Sequence, residues 1–185
     1  MRKIMFIGVA ILGMMTATIS ASEVFTFTPD PEDLNDLDHY KWYTWGIDVT
    51  CLDARIIDEV ELRFENISNW DDDTIILYLH LLDTAGLGVT EGNDDQDPED
   101  HFDGMGPLID SWVDENGAGT SETLSFFFSD YGLIDDAQIF VLDGLLGIGL
   151  DPDCHYFNDG VSLIITASGE TATEDLSWSD IKGRF

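Results

Sequence analysis

Apolar and polar residues alternate with period two along much of this chain, in short runs. The clearest lies in Ile56–Asn66, where Ile56, Val60, Leu62 and Phe64 share one face and Ile57, Glu59, Glu61 and Arg63 the other, as in a strand with one wet face. In Thr74–Leu82 the set Ile75, Leu77, Leu79 and Leu81 is wholly apolar, whereas Ile76, Tyr78, His80 and Leu82 are mixed. That combination predicts a central strand whose second face is partly covered. Leu124, Phe126 and Phe128 in Glu122–Phe128 form another inward row, as do Val161, Leu163 and Ile165 in Gly160–Ser168. With Val24–Thr28, Tyr40–Asp48, Pro107–Val113 and Leu145–Asp151, the chain reads as about eight strands separated by Asp, Asn, Gly and Pro clusters. Helical spacing occurs at Leu133–Leu142, where Leu133, Ile134, Ala137, Phe140 and Val141 make a short amphipathic face that would bridge two strands across one end. The expected fold is all-β, a single β-sandwich or jelly roll with one short helix.

The chain opens with a different pattern. Arg2 and Lys3 precede the apolar run Ile4–Met15 and the small residues of Thr16–Ser22, with cleavage points after Ala21 or Ser22. This is the layout of a signal peptide over residues 1–22, an uncleaved anchor being the other reading. A sandwich domain is expected at 23–168, followed by a polar tail at 169–185 in which Trp178, Ile181 and Phe185 tether to the domain or to a partner. The expected location is secreted or extracytoplasmic, in the periplasm, on the cell surface or in the medium. No second long apolar run predicts stable membrane insertion once the signal is removed.

Charge narrows the choice of partners. There are 38 acidic residues against 7 Lys and Arg, for a net charge of −31, and 27 of the acids are Asp. Such a surface repels nucleic acid and anionic lipid and attracts cations. Calcium ligation, adaptation to salt and plain solubility all account for it, and the expectation is that most of the acids are solvated while a few bind calcium.

The densest candidate site is Asp151-Pro-Asp-Cys-His-Tyr-Phe-Asn-Asp-Gly160. A strand ending in Asp-x-Asp puts Asp151 and Asp153 on one side, where two carboxylates converge on a hard cation, with His155 and Asn158 close enough to contribute. The alternative is a tight loop in which Asn158-Asp159-Gly160 supplies the turn and the Asp side chains cap amides. Asp38, in the acidic turn before an aromatic strand, completes the candidate metal set. In that strand Tyr40 and Trp42 face one way and Tyr43 and Trp45 the other. An exposed pair, with Tyr78 and His80, would offer a platform for a sugar ring, and burial of both pairs is the alternative. The long segment Thr90–Gly106 is the irregular stretch most expected to be functional or mobile. Within it Asn93–Asp103 offers many oxygen ligands at no recognisable spacing and is expected to be a solvated, calcium-responsive or repulsive loop, with a local site as the alternative. Trp70 is expected to plug an end of the sandwich. Cys51 and Cys154 allow one disulfide, worth on the order of 4 kcal/mol across so long a loop, or a buried free thiol at Cys154, or a zinc site with His155 and His39. No nucleophile elbow, phosphate loop or zinc-protease motif is present, so no enzyme activity is expected, with a hydrolase or lyase as the remote alternative.

Four segments together carry a resemblance: Leu37–Ile47, Phe64–Asp71, Leu77–Asp83 and Leu150–Gly160. They are similar to secreted bacterial β-sandwich proteins, many of which carry PEP-CTERM-type sorting tails. The resemblance spans about Asp36 to Ala167, and its last motif is the most specific. It implies an exported sandwich and no activity. The chain departs from that group in lacking a Pro-Glu-Pro motif with a following apolar helix and Arg cluster. A looser likeness, around Gly46–Phe64, is to carbohydrate-binding jelly rolls. The partners implied are an extracellular glycan or envelope proteins, and the competing reading is a structural or adhesive component of the envelope or matrix.

Overall fold

A computed structural model describes residues 21–31, 34–71, 76–94 and 99–169. The expected signal segment, apart from its last two residues, and the tail with Trp178 lie outside the described residues. The described strands are β1 Glu23–Phe27, β2 Asp36–Leu37, β3 Lys41–Asp48, β4 Ile56–Asn69, β5 Ile76–Leu82, β6 Gly88–Asn93, β7 Leu108–Val113, β8 Glu122–Phe127, β9 Leu145–Pro152, β10 Tyr156–Phe157 and β11 Gly160–Ser168. One α-helix, α1 Ile134–Phe140, lies between β8 and β9. The strands form two antiparallel sheets, one ordered β1-β11-β4-β10-β2 with β8 also paired to β4, the other ordered β6-β3-β9-β5-β7. The all-β sandwich is therefore correct, with eleven described strands in place of about eight.

The three additional strands escape pattern reading for physical reasons. β2 and β10 are two residues long, too short to show a period, and pair only with each other and the end of β4. β6 reads Gly-Val-Thr-Glu-Gly-Asn, an edge strand along β3 with no fully buried residue and hence no apolar row to find. It occupies the start of the segment expected to be irregular.

The core lies between the sheets. Tyr43, Trp45 and Ile47 from β3, Leu77, Leu79 and Leu81 from β5, and Leu146, Ile148 and Leu150 from β9 meet Val60, Leu62 and Phe64 from β4 and Val161, Leu163 and Ile165 from β11. One parity assignment fails. Opposite β11 the register shifts between Thr166, which faces Glu59, and Ala167, which faces Ile57, so Asp58 is an extra residue in β4. This bulge turns Ile57 inward and leaves Ile56 exposed, reversing the expected order at the start of the strand. A second irregularity, at Asn66 with its φ of 49°, lets Phe64 and Ile67 both point inward. Helix α1 packs on β4, where Gln138 accepts from the Ile57 amide at 2.8 Å and donates to the Arg55 carbonyl at 3.2 Å. Trp70 does not plug the sandwich, being 59% exposed beside His155.

Candidate metal centre

The site grows from the outer face of the five-stranded sheet, on β9, which pairs with β3 on one side and β5 on the other. Along β9 the core-facing Leu146, Ile148 and Leu150 alternate with Gly147, Gly149 and Asp151. Two successive outward positions without a side chain leave a trough along the strand. A Cβ on Gly149 would stand 3.1 Å from the Phe102 ring, and one on Gly147 would stand 2.8 Å from Ala85 Cβ. Phe102 fills the trough and is buried.

Phe102 arrives on residues 99–106, which act as a roof. Asp100 shapes its turn by accepting from the Phe102 amide at 3.0 Å, and its other oxygen lies 2.8 Å from Nε2 of the buried His80. Nδ1 of the same ring is 3.1 Å from the Gly106 carbonyl. Each ring nitrogen meets an oxygen of the roof, and the imidazole is held from both sides. His80 thus latches both ends of the roof to β5. Over the strand end, His101 stacks on Trp42 with centroids 4.8 Å apart and planes 14° apart, and its amide donates to Asp151 Oδ2 at 2.7 Å.

Asp151 is sealed beneath this roof with 0% exposure, and its Oδ1 is out of contact with solvent and has no hydrogen-bond partner. The Asp94 carboxylate interacts with the Asp151 carboxyl as a whole, and the charge of Asp153 also acts on it. Asp94 Oδ2 and Asp153 Oδ1 are likewise shielded from solvent. Burial pushes the Asp151 carboxyl up to about 7, the neighbouring Asp94 and Asp153 charges add to the rise, and the His101 amide opposes it. Tyr78, opposite Asp151 in the β5–β9 register, is raised by burial and then by Asp153, Asp100 and Asp151, which places it in the same negative field. Ionised carboxylates present only lone pairs to one another. At neutral pH the pocket therefore requires either a proton or a cation between Asp151 and its neighbours. The donors are carboxylate oxygens, a set that fits a hard ion such as calcium rather than zinc or copper.

Of the residues expected to bind metal, Asp153 acts on Asp151 through its charge, although Asp94, Asp151 and Asp153 do not each bring an oxygen within 4.8 Å of the others. Asn158 does not join them. Its Nδ2 donates to the Leu34 carbonyl at 2.7 Å and its Oδ1 accepts from the Gly160 amide at 2.9 Å, so it serves the turn. Asp38 stands instead beside His39 and His155. The aromatic platform is corrected as well. Tyr43 and Trp45 are core, Trp42 is covered by His101, His80 is buried in its latch, Tyr78 is half-buried, and only Tyr40 is open, at 54% exposure. Cys51 and Cys154 are not bonded. Cys51 is exposed in a 3-10 turn after β3, whereas Cys154 is buried and its thiol donates to Asn69 Oδ1 at 2.9 Å. That burial also removes Cys154 from a zinc site with the two histidines.

Asp94, Asp100 and His101 lie in Asn93–Asp103, a stretch that stands out in the sequence for its many oxygen ligands but whose spacing matches no ligand pattern, so the sequence assigns no residue of it. Their signal was the outward Gly147-x-Gly149-x-Asp151 alternation, which marks a groove on the sheet, next to a long acidic segment able to fill it. The chain matches no known protein family, no curated protein and no solved structure.

Proposed function

We propose that this protein is an exported β-sandwich that binds calcium through Asp151 with Asp94 and Asp153, the ion taking the place of a proton and fixing the roof over the five-stranded sheet. The observation that carries this reading is the fully buried Asp151 with its unpartnered Oδ1 amid other carboxylates. A buried, unpaired charge costs several kcal/mol, which a divalent ion offsets. Export is supported by the basic, apolar and small-residue pattern of residues 1–22, and extracellular calcium would be abundant enough to load a site of modest affinity. Thermal melting of the mature protein in calcium chloride and in sodium chloride of equal ionic strength tests the proposal. Calcium is expected to raise the melting temperature beyond the sodium value, and Asp151→Asn to remove most of the difference. Identical curves in the two salts would leave only screening of a highly charged surface.

A second reading concerns the surface the domain presents. Tyr40, Trp70 at 59% exposure and Phe157 at 45% are open around His39 and His155, where Trp70 and Phe157 both flank the His155 ring. Rings of this kind favour stacking against an extracellular glycan. Retention in a glycan gel that Trp70→Ala and Phe157→Ala abolish, with melting unchanged, would support it. If no retention is seen, contact with envelope proteins is the better account of those rings.

A further inference from the structure

We infer that the domain carries a second metal site, for a divalent transition ion of the zinc type, built by Asp38, His39 and His155. It does not depend on calcium binding at Asp151. The short β2–β10 pairing creates it. Leu37 faces Tyr156 and Asp36 faces Phe157 in antiparallel register, so the next step along the ladder brings Asp38 alongside His155. His39 follows Asp38 in the turn into β3. One candidate ligand atom from each of the three residues lies within 4.8 Å of the others, and all three residues are half-buried. Ligands around a tetrahedral zinc ion stand about 3.4 Å apart, so closure takes roughly an ångström of movement.

The surroundings hold these groups in place. The Asp38 amide donates to the Tyr43 hydroxyl at 3.0 Å, while Asp38 Oδ1 accepts from the Tyr40 amide at 3.1 Å, which fixes the turn. The His155 ring stacks on Phe157 at 4.8 Å between centroids and stands 6.2 Å from Trp70, and the rings of His39 and His155 are 5.9 Å apart. Nε2 of His155 contacts the Asp36 carboxylate, an arrangement in which an acidic partner orients a metal-binding imidazole. Asp36 is thus a positioning residue. Two of three donors are imidazoles, which suit zinc, nickel, copper or cobalt and disfavour calcium or magnesium. The partial exposure admits an ion and leaves room for water or another ligand to complete its coordination.

Two measurements on the full mature chain, held in excess calcium and salt to fill and screen the acidic surface, test the site. In the first, cobalt(II) added to wild-type protein is expected to give visible bands stronger than those of the aqueous ion, as low-symmetry sites of few ligands do. Absorption no stronger than that of aqueous cobalt overturns the proposal without any variant. In the second, zinc is titrated against a chromophoric chelator. Wild type is expected to hold one zinc per chain. His39→Ala and His155→Ala should each weaken it at least about tenfold, and Asp36→Asn should weaken it by about the same factor. Asp151→Asn is expected to leave zinc binding unchanged. Zinc held equally by the His39→Ala/His155→Ala double variant, or displaced by calcium, overturns the site.

Discussion

On its inner face β9 presents Leu146, Ile148 and Leu150 to the opposite sheet; on its outer face it presents Gly147, Gly149 and Asp151 to a roof made by a loop. The inner face is closed by apolar contact, which is insensitive to ions and, near neutrality, to pH. The outer face is closed partly by Phe102 and partly by polar groups, the His80–Asp100 latch and the buried Asp151. One strand thus separates a region whose stability is intrinsic from one whose stability is conditional on what occupies it. The conditional side is where function is expected, because a ligand can change it without unfolding the sandwich.

The largest expected effect lies on the inner face. Leu79→Ala, a buried position on β5, should cost about 3–5 kcal/mol in urea unfolding, and by the same amount with or without calcium. A cost that shrinks markedly in calcium would mean that the two faces are not energetically separate.

On the outer face the expected effect is one of pH. The folded-state value for Asp151, about 7, is above its ordinary value of 3.8, so the native state holds the proton more tightly than the unfolded chain does. Its contribution is full below about pH 4 and is lost as pH rises through 7, for a total of up to about 4 kcal/mol. Without calcium, stability is expected to decline over that window, and Asp151→Asn to flatten the decline and exceed wild type at pH 8. Unfolding curves collected in chelator from pH 4 to 8 would show this, and a wild-type curve parallel to that of the variant would contradict it.

A smaller effect sharpens the boundary between the faces. Gly149→Val adds a side chain where a Cβ already meets Phe102 at 3.1 Å, so it should lift the roof at a cost of about 1–3 kcal/mol and weaken calcium binding. Hydrogen exchange should then rise in 99–106 and not in β11. Exchange that rises equally in both would mean that the roof and core open together.

The inner face was legible in the sequence because every core strand repeats an apolar residue at period two, as in Leu77, Leu79 and Leu81. The pattern failed at Asp58, since a bulge shifts parity by one residue with no change in composition. Half of the outer site was legible. Asp151 and Asp153 stood out by local spacing, but Asp94, Asp100 and His80 reach the site through long-range packing of the roof, and period-two reading assigns no partner to an outward residue. The aromatic strand misled for a related reason. Trp42 belongs to the pair that faces away from the core, but His101 covers it, and nothing in the local sequence announces that cover. Likewise Asp38 sat next to an aromatic run, while its companion His155 is brought to it only by a two-residue ladder.

The central claim is that calcium replaces a proton at Asp151, and counting protons tests it most directly. Calcium can be titrated calorimetrically at pH 6 in two buffers of different ionisation enthalpy, so that the difference between the heats reports protons released per ion bound. At pH 6 Asp151 is mostly protonated if its value is about 7, so wild type is expected to release close to one proton per calcium, falling toward none by pH 8.5. Asp151→Asn should release none at either pH. Calcium binding with no proton release at pH 6, or with equal release from the variant, would place the ion elsewhere and contradict the account.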